Sequence, residues 1–290
     1  MAFHTLRVSL PLVLALGATS PQAAAVGLQF SVGADYSTGD FGGTTTTDVF
    51  VVPVTARLRW GNWSLRAAVP YVTVRGPADV TVIVGEDGGS APESEEEDAE
   101  DSSDLPDNAE TPPTTGSSGF ANNRRVSGIG DASLSLAYSF SDIGGSPIYL
   151  DVTARTKLAT GSASKGLGVG TTDYAALTEV GWLGESYGLY AGGGRRFLGS
   201  SSRVQRQDGW QWTAGSWLDA TPSIEIGAAY RGREAAVGNG TDASEVEANV
   251  ALRFAKAWRL VLYAGAGLSD GSPDTLGGLT LSWNASRGRR

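Results

Sequence analysis

The sequence predicts an all-β transmembrane protein: an antiparallel up-and-down β-barrel of about 12 strands with one long acidic extracellular loop. Three observations predict it. Apolar and polar residues alternate with period two over most of residues 26–290, the pattern of strands with two unlike faces. Tight and long connections between these segments take strict turns. Tryptophans gather beside the tight ones.

The elements follow in chain order. Residues 1–25 have the zones of a secretory signal: His4 and Arg7, an apolar run from Val8 to Ala18, then Ala23-Ala24-Ala25. The run is too short to span as a helix, and the small residues suit cleavage near Val26. From there twelve alternating segments cover roughly residues 27–36, 48–60, 62–75, 128–140, 146–159, 173–183, 186–198, 210–218, 222–233, 244–254, 257–269 and 275–283. In the second, Phe50, Val52, Val54, Ala56, Leu58 and Trp60 oppose Val51, Pro53, Thr55, Arg57 and Arg59. In the fifth, Ile148, Leu150, Val152, Ala154 and Leu158 oppose Tyr149, Asp151, Thr153, Arg155 and Lys157. In the tenth, Val246, Ala248, Val250, Leu252 and Phe254 oppose Glu245, Glu247, Asn249 and Arg253. Most segments run ~9–13 residues, against ~5–6 in soluble sheets and ~9–11 for a strand that crosses a bilayer.

The tight connections are Gly61-Asn62, Ser141–Gly145, Gly184-Glu185, Asp219–Thr221 and Ala255-Lys256; the longer ones are 37–47, 76–127, 160–172, 199–209, 234–243 and Ser269–Asp274. Tight turns at the periplasmic end and long loops outside are the outer-membrane arrangement. Trp60, Trp63, Trp182 and Trp258 lie at the tight turns, Trp283 ends the last segment on that side, and Trp210 lies near an outer end. Indole rings favour the headgroup level. In hydrocarbon every backbone polar group must be paired, and a closed sheet does this between neighbours. The apolar parity then faces lipid and the polar parity faces the lumen. A soluble secreted β-sandwich is the rival fold, but it gives no reason for the alternation of connections.

Composition narrows the chemistry. There is no Cys, and the only His is His4. Disulfides, Cys/His metal centres and Ser-His or Cys-His nucleophiles are excluded from the rest of the chain. No cofactor site is legible, and no basic, aromatic-laced patch points to nucleic acid. Gly166-Leu167-Gly168-Val169-Gly170 reads as a glycine-rich outer loop, since no Lys-Ser/Thr or helix pattern follows it. The protein is expected not to be an enzyme.

The candidate functional surface is the polar parity, because charges facing lipid are costly. It comprises Arg57, Arg59, Arg66, Asp151, Arg155, Lys157, Glu179, Arg196, Glu225, Arg231, Arg233, Glu245, Glu247, Arg253 and Arg259, with Asp35 and Asp131 beside them. These charges either line a solute pathway or neutralise one another in a narrow barrel. Their mixed signs do not make a strong ion filter. Acidity is concentrated elsewhere: Glu86–Glu110 holds 12 acidic residues and no basic one, and the rest of residues 26–290 is net +2. Within the loop expected over 77–125, the run Glu93, Glu95, Glu96, Glu97, Asp98, Glu100 and Asp101 would attract cations such as Ca²⁺. It lacks the spacing of a calcium loop, and a plain solvated charge run is the competing reading.

Several segments carry a family likeness. Val52–Pro77 (VPVTARLRWGNWSLRAAVPYVTVRGP), Ser127–Phe140 (SGIGDASLSLAYSF), Leu150–Tyr174 (LDVTARTKLATGSASKGLGVGTTDY), Arg195–Gly199 (RRFLG) and Ser269–Trp283 (SDGSPDTLGGLTLSW) resemble outer-membrane transporters associated with the meta-pathway of phenol degradation. The resemblance implies a barrel in the outer membrane of a Gram-negative bacterium that transports hydrophobic or aromatic compounds. It brings no ligand residues. The acidic insertion and the residues after Trp283 depart from the family pattern. The expected function is passive passage of a small solute, with outer-membrane lipid as surroundings. A plugged barrel acting through its acidic outer loop is the alternative.

Overall fold

The computed structural model describes residues 26–41, 43, 45–76, 124–200, 205–238 and 240–285. The segment read as a signal and the acidic run Glu93–Asp101 lie outside the described residues. Thirteen strands follow one another: β1 (Val26–Gly39), β2 (Thr47–Trp60), β3 (Trp63–Gly76), β4 (Arg124–Ile129), β5 (Ala132–Phe140), β6 (Ile148–Leu158), β7 (Asp173–Leu183), β8 (Tyr187–Phe197), β9 (Gly209–Thr221), β10 (Ile224–Arg233), β11 (Ala243–Phe254), β12 (Trp258–Gly267) and β13 (Thr275–Asn284). Among the described residues the remaining regular structure is two single 3₁₀ turns, Ile143–Gly145 and Ala163–Lys165.

Every pairing is antiparallel, and all join neighbours in the chain except β3 with β5 and the pair that closes the ring. There β1 pairs β13, from Gln29 opposite Asn284 to Thr38 opposite Thr275. Side chains also bind across this seam. Ser31 Oγ lies 3.1 Å from Ser282 Oγ, and Tyr263 on β12 donates to Asp35 on β1 at 2.8 Å. That second bond passes over β13 at Gly278, where a Cβ would sit 2.5 Å from Asp35 Oδ1 and 2.7 Å from the Tyr263 hydroxyl.

Thirteen strands fill twelve places in the wall, because β4 and β5 share one. Both pair β3, β4 against Tyr71–Gly76 and β5 against Trp63–Ala68. The fourth expected segment, 128–140, is thus a longer strand that starts at Arg124, inside the bounds read as loop, and breaks at Gly130-Asp131. The break is a bulge: Gly130 donates its N–H to Pro70 O at 2.9 Å, and the extra residue turns both Gly130 and Asp131 inward. β1 also runs three residues past its expected end. Ser37, Thr38 and Gly39 hide the alternation, yet they continue the ladder to β2 as far as Gly39 opposite Thr47. At the foot of β9 the strand extends through Thr221, so the turn falls on Pro222-Ser223 rather than Asp219–Thr221.

The distribution of side chains is inverted relative to a soluble core. Outward residues are large, apolar and open: Val54 is 56 % exposed, and Val180, Leu189, Ile226 and Leu279 are likewise exposed. Inward residues include Arg259 and Glu225, each 1 % exposed. The tight-turn end carries an aromatic belt on the outer face. Trp60 stacks on Trp63, Trp63 and Phe140 both meet Tyr138, Trp182 meets Tyr187, and Trp283 lies between Phe30 and Trp258. An apolar wall, an aromatic girdle and a closed ladder make this a membrane-spanning barrel of the bacterial outer-membrane type. The long-loop end is accordingly the outer one.

Candidate functional site

Most of the residues expected to face the lumen are buried, and the register pairs them with one another or with neighbours of the same parity. Arg57 opposes Arg66, and Arg59 opposes Ser64. Asp151 opposes Glu179, and Lys157 opposes Asp173. Arg231 opposes Glu245, Glu225 opposes Ala251 and Glu247 opposes Ala229. Arg253 opposes Arg259. Arg233 faces Gln211 and Arg196 faces Gly209 on the same inward parity.

Two rungs organise these charges. One runs from Arg57 to Arg66, Ser135, Arg155, Ala175 and Arg196. Strands of a closed barrel tilt, so a rung climbs the wall. Four arginines therefore form a rising row from the turn end at Arg57 to the loop end at Arg196. The other runs from Asp151 through Glu179, Gly192 and Thr213 to Arg231 and Glu245. Sequence parity selects the face but cannot show which residues share a rung, because that depends on strand offset.

Ion pairs bind three tiers. At the turn end Glu225 accepts from Arg253 Nη2 at 2.6 Å and from Arg259 Nη2 at 3.2 Å, and Arg253 also reaches Asp219 at 3.1 Å. One carboxylate thus separates two arginines that oppose each other directly. In the outer half Arg231 pairs Glu247 at 2.9 Å, and Arg233 lies 3.4 Å from Glu245. Tyr149 donates to Glu179 at 2.7 Å. At the loop end Lys157 contacts Asp173 at 2.6 Å and Asp131 at 3.7 Å, and Arg206 reaches Asp173 at 2.7 Å. Asp173 and Arg206 belong to this network in addition to the residues expected from the sequence. Asp173 was legible, since it continues the parity of Glu179. Arg206 sits between strands, where no periodicity operates.

The inner face is not polar throughout. At the loop end of β2 and β3 the inward residues are Val49, Val51, Val72 and Val74. They keep the parity of Arg57 and Arg66, whereas the outward Thr73 and Arg75 are polar, so the local alternation on β3 is reversed there. These valines pack with Phe41, Val126 and Leu167. Leu167 belongs to the glycine-rich segment expected as an outer loop, yet it is 2 % exposed inside the barrel.

The wall bulge holds that loop in place. Asp131 accepts from Gly161 N at 2.8 Å and from Val169 N at 3.3 Å. Thr160 Oγ1 accepts from Ala132 N at 2.7 Å and donates to Gly130 O at 3.1 Å. Gly128 leaves room for the leucine: a Cβ there would stand 2.7 Å from Leu167 Cδ1. The loop end of the lumen is therefore capped on one side by an apolar contact and lashed by a carboxylate. Among the described residues no group of three or more His, Cys, Asp or Glu is placed to hold a metal.

No family model matches the chain, and no curated protein matches it. Solved structures do. The chain is similar to an outer membrane channel from Pseudomonas putida F1, with a TM-score of 0.61 and 11 % identity over 90 % of this chain and 96 % of that one. It is also similar to the NanC porin, with a TM-score of 0.50 and 7 % identity over 89 % of this chain and 99 % of that one. At such identities the likeness is one of fold: the architecture is that of outer-membrane barrels.

Proposed function

We propose that the chain is a passive outer-membrane channel for a small solute, and that the solute is hydrophobic or aromatic. The observation that carries this reading is the two-sided inner wall. An apolar cluster at the outer end, Val49, Val51, Val72 and Val74 beneath Phe41 and Leu167, adjoins a charged face that runs to the turn end. Displacing Phe41 and Leu167 would open to the lumen a surface that suits a molecule that leaves water easily. The resemblance of Val52–Pro77 and Leu150–Tyr174 to phenol-pathway transporters supports the aromatic class, and the fold shared with the outer membrane channel of Pseudomonas putida F1 supports a channel.

The candidate pathway is the set of fifteen charged lumen residues named above, from Arg57 at the turn end to Arg196 at the loop end. The run Glu93, Glu95, Glu96, Glu97, Asp98, Glu100 and Asp101 then acts as an outer cation-attracting segment, with Ca²⁺ as its ligand. A second reading, a plugged barrel working through its outer loop, draws support from the buried Leu167 and Val169.

Single-channel recording in planar bilayers, with uptake of a neutral aromatic into proteoliposomes, separates the two. Conductance with aromatic uptake is expected. Silence in both assays favours the plugged barrel. Deleting residues 86–110 is expected to reduce cation preference and abolish any Ca²⁺ response. Unchanged traces would defeat the antenna.

A further inference from the structure

The outer surface of the barrel carries a feature that solute passage does not use. At the loop end of β1–β4 a groove of about 450 Å³ opens on the lipid-facing side, lined by Tyr36, Asp48, Phe50, Thr73, Arg75 and Arg125. We propose that this groove binds the phosphate-bearing headgroup of a lipid in the outer leaflet.

Three rungs of the ladder make the argument. In the rung nearest the loops, Asp48 opposes Arg75 and Arg75 opposes Arg125. Next toward the turns, Phe50 opposes Thr73 and Thr73 opposes Ser127, with their hydroxyls 2.9 Å apart. Below that, Val52 opposes Tyr71 and Tyr71 opposes Ile129. All these side chains share the outward parity. At about 7 Å per step the wall passes from charged to hydroxylated to apolar, the same order as phosphate, ester and acyl chain in a lipid.

The top rung demands an anion. Like charges directly opposite each other on a sheet repel, and neither Arg75 nor Arg125 has an ion-pair partner among the described residues. Asp48 is the only acid in the lining, and its Oδ1 already accepts from Tyr36 at 2.9 Å and Thr38 at 2.8 Å. Arg195 is a useful contrast. It also points outward near the loop end, but its guanidinium lies over the Trp210 ring, 5.4 Å from the centroid. A phosphate set between Arg75 and Arg125 would receive charge-assisted hydrogen bonds from both. Phe50 and Tyr36, 42 % and 47 % exposed, would lie against the chain below.

The test uses the full chain in dodecyl maltoside, with native mass spectrometry against diphosphoryl lipid A, its fully dephosphorylated form and inorganic phosphate. The wild type is expected to retain the diphosphoryl lipid and not the dephosphorylated one, and millimolar phosphate should not displace it. Each of R75Q and R125Q is expected to weaken retention about tenfold, and R75Q/R125Q to abolish it. A heat-dependent shift on a gel reports that each variant is still a closed barrel. If the double variant lacks that shift, the single variants decide. Equal retention by wild type and variants, equal retention of the dephosphorylated lipid, or displacement by inorganic phosphate would overturn the proposal.

Discussion

At the outer half of the barrel, two stretches of inner wall face each other with different chemistry. On β2 and β3 the inward side chains are valines, dry because Leu167 and Phe41 cover them. On β10 and β11 they are Arg231 and Arg233, each held by a glutamate of the neighbouring strand. The valine wall depends on a loop reaching in from outside. The charged wall draws its ion-pair partners from the sheet itself. A lumen can thus be filled in two ways, and only one of them ties the interior to the behaviour of a loop.

Breaking the charged wall should have the largest effect. Glu225→Ala leaves Arg259, 1 % exposed, without its carboxylate and lets it face Arg253 unshielded. Losing one member of a buried pair costs about 3–5 kcal/mol. The urea midpoint of the barrel in detergent should fall accordingly, while tryptic cleavage after the exposed Lys165 stays at the wild-type rate. Faster cleavage would mean that the two walls are coupled. Asp131→Ala comes next. It removes the acceptor for Gly161 N and Val169 N, about 3 kcal/mol for two bonds to a charged group. Here Lys165 should become the preferred cleavage site, and single-channel conductance should rise. Conductance and cleavage both unchanged would show that the lashing is not what keeps the loop inside. Leu167→Ala is the mildest of the three, about 2 kcal/mol for a buried leucine that a loop can partly follow inward. It should raise conductance less than Asp131→Ala, and leave ion preference as it was because the charged wall is untouched.

Much of this was legible in the sequence, for a physical reason. Wherever one face of a strand meets lipid and the other meets charge, period two is a direct imprint of the environment. β6, β7, β10 and β11 came through with their facing intact. The tight turns were legible as breaks between those patterns. The signal is weakest where the two environments converge. From Phe50 to Val54 both parities are apolar, and Val51 is set inward and Phe50 outward only by extending the parity of Thr55 and Arg57. The bulge at Gly130-Asp131 was also hidden, since an extra residue shifts parity only for the short stretch before it. The inward fold of Gly166–Gly170 could not be read from a segment that has the composition of an open loop. The rung that aligns Arg57, Arg66, Arg155 and Arg196 depends on the offset between strands, which no single strand encodes.

The seam between β1 and β13 has a consequence for how the molecule is made. Ser31 meets Ser282, and Asp35 meets Tyr263, so the closing contacts join opposite ends of a long chain. They close the longest loops in the molecule, and that closure entropy must be met before the contacts reward it. A polypeptide that stops short of β13 is then no weakened cylinder. It is a curled ribbon with two raw margins, and oil offers nothing to quench them.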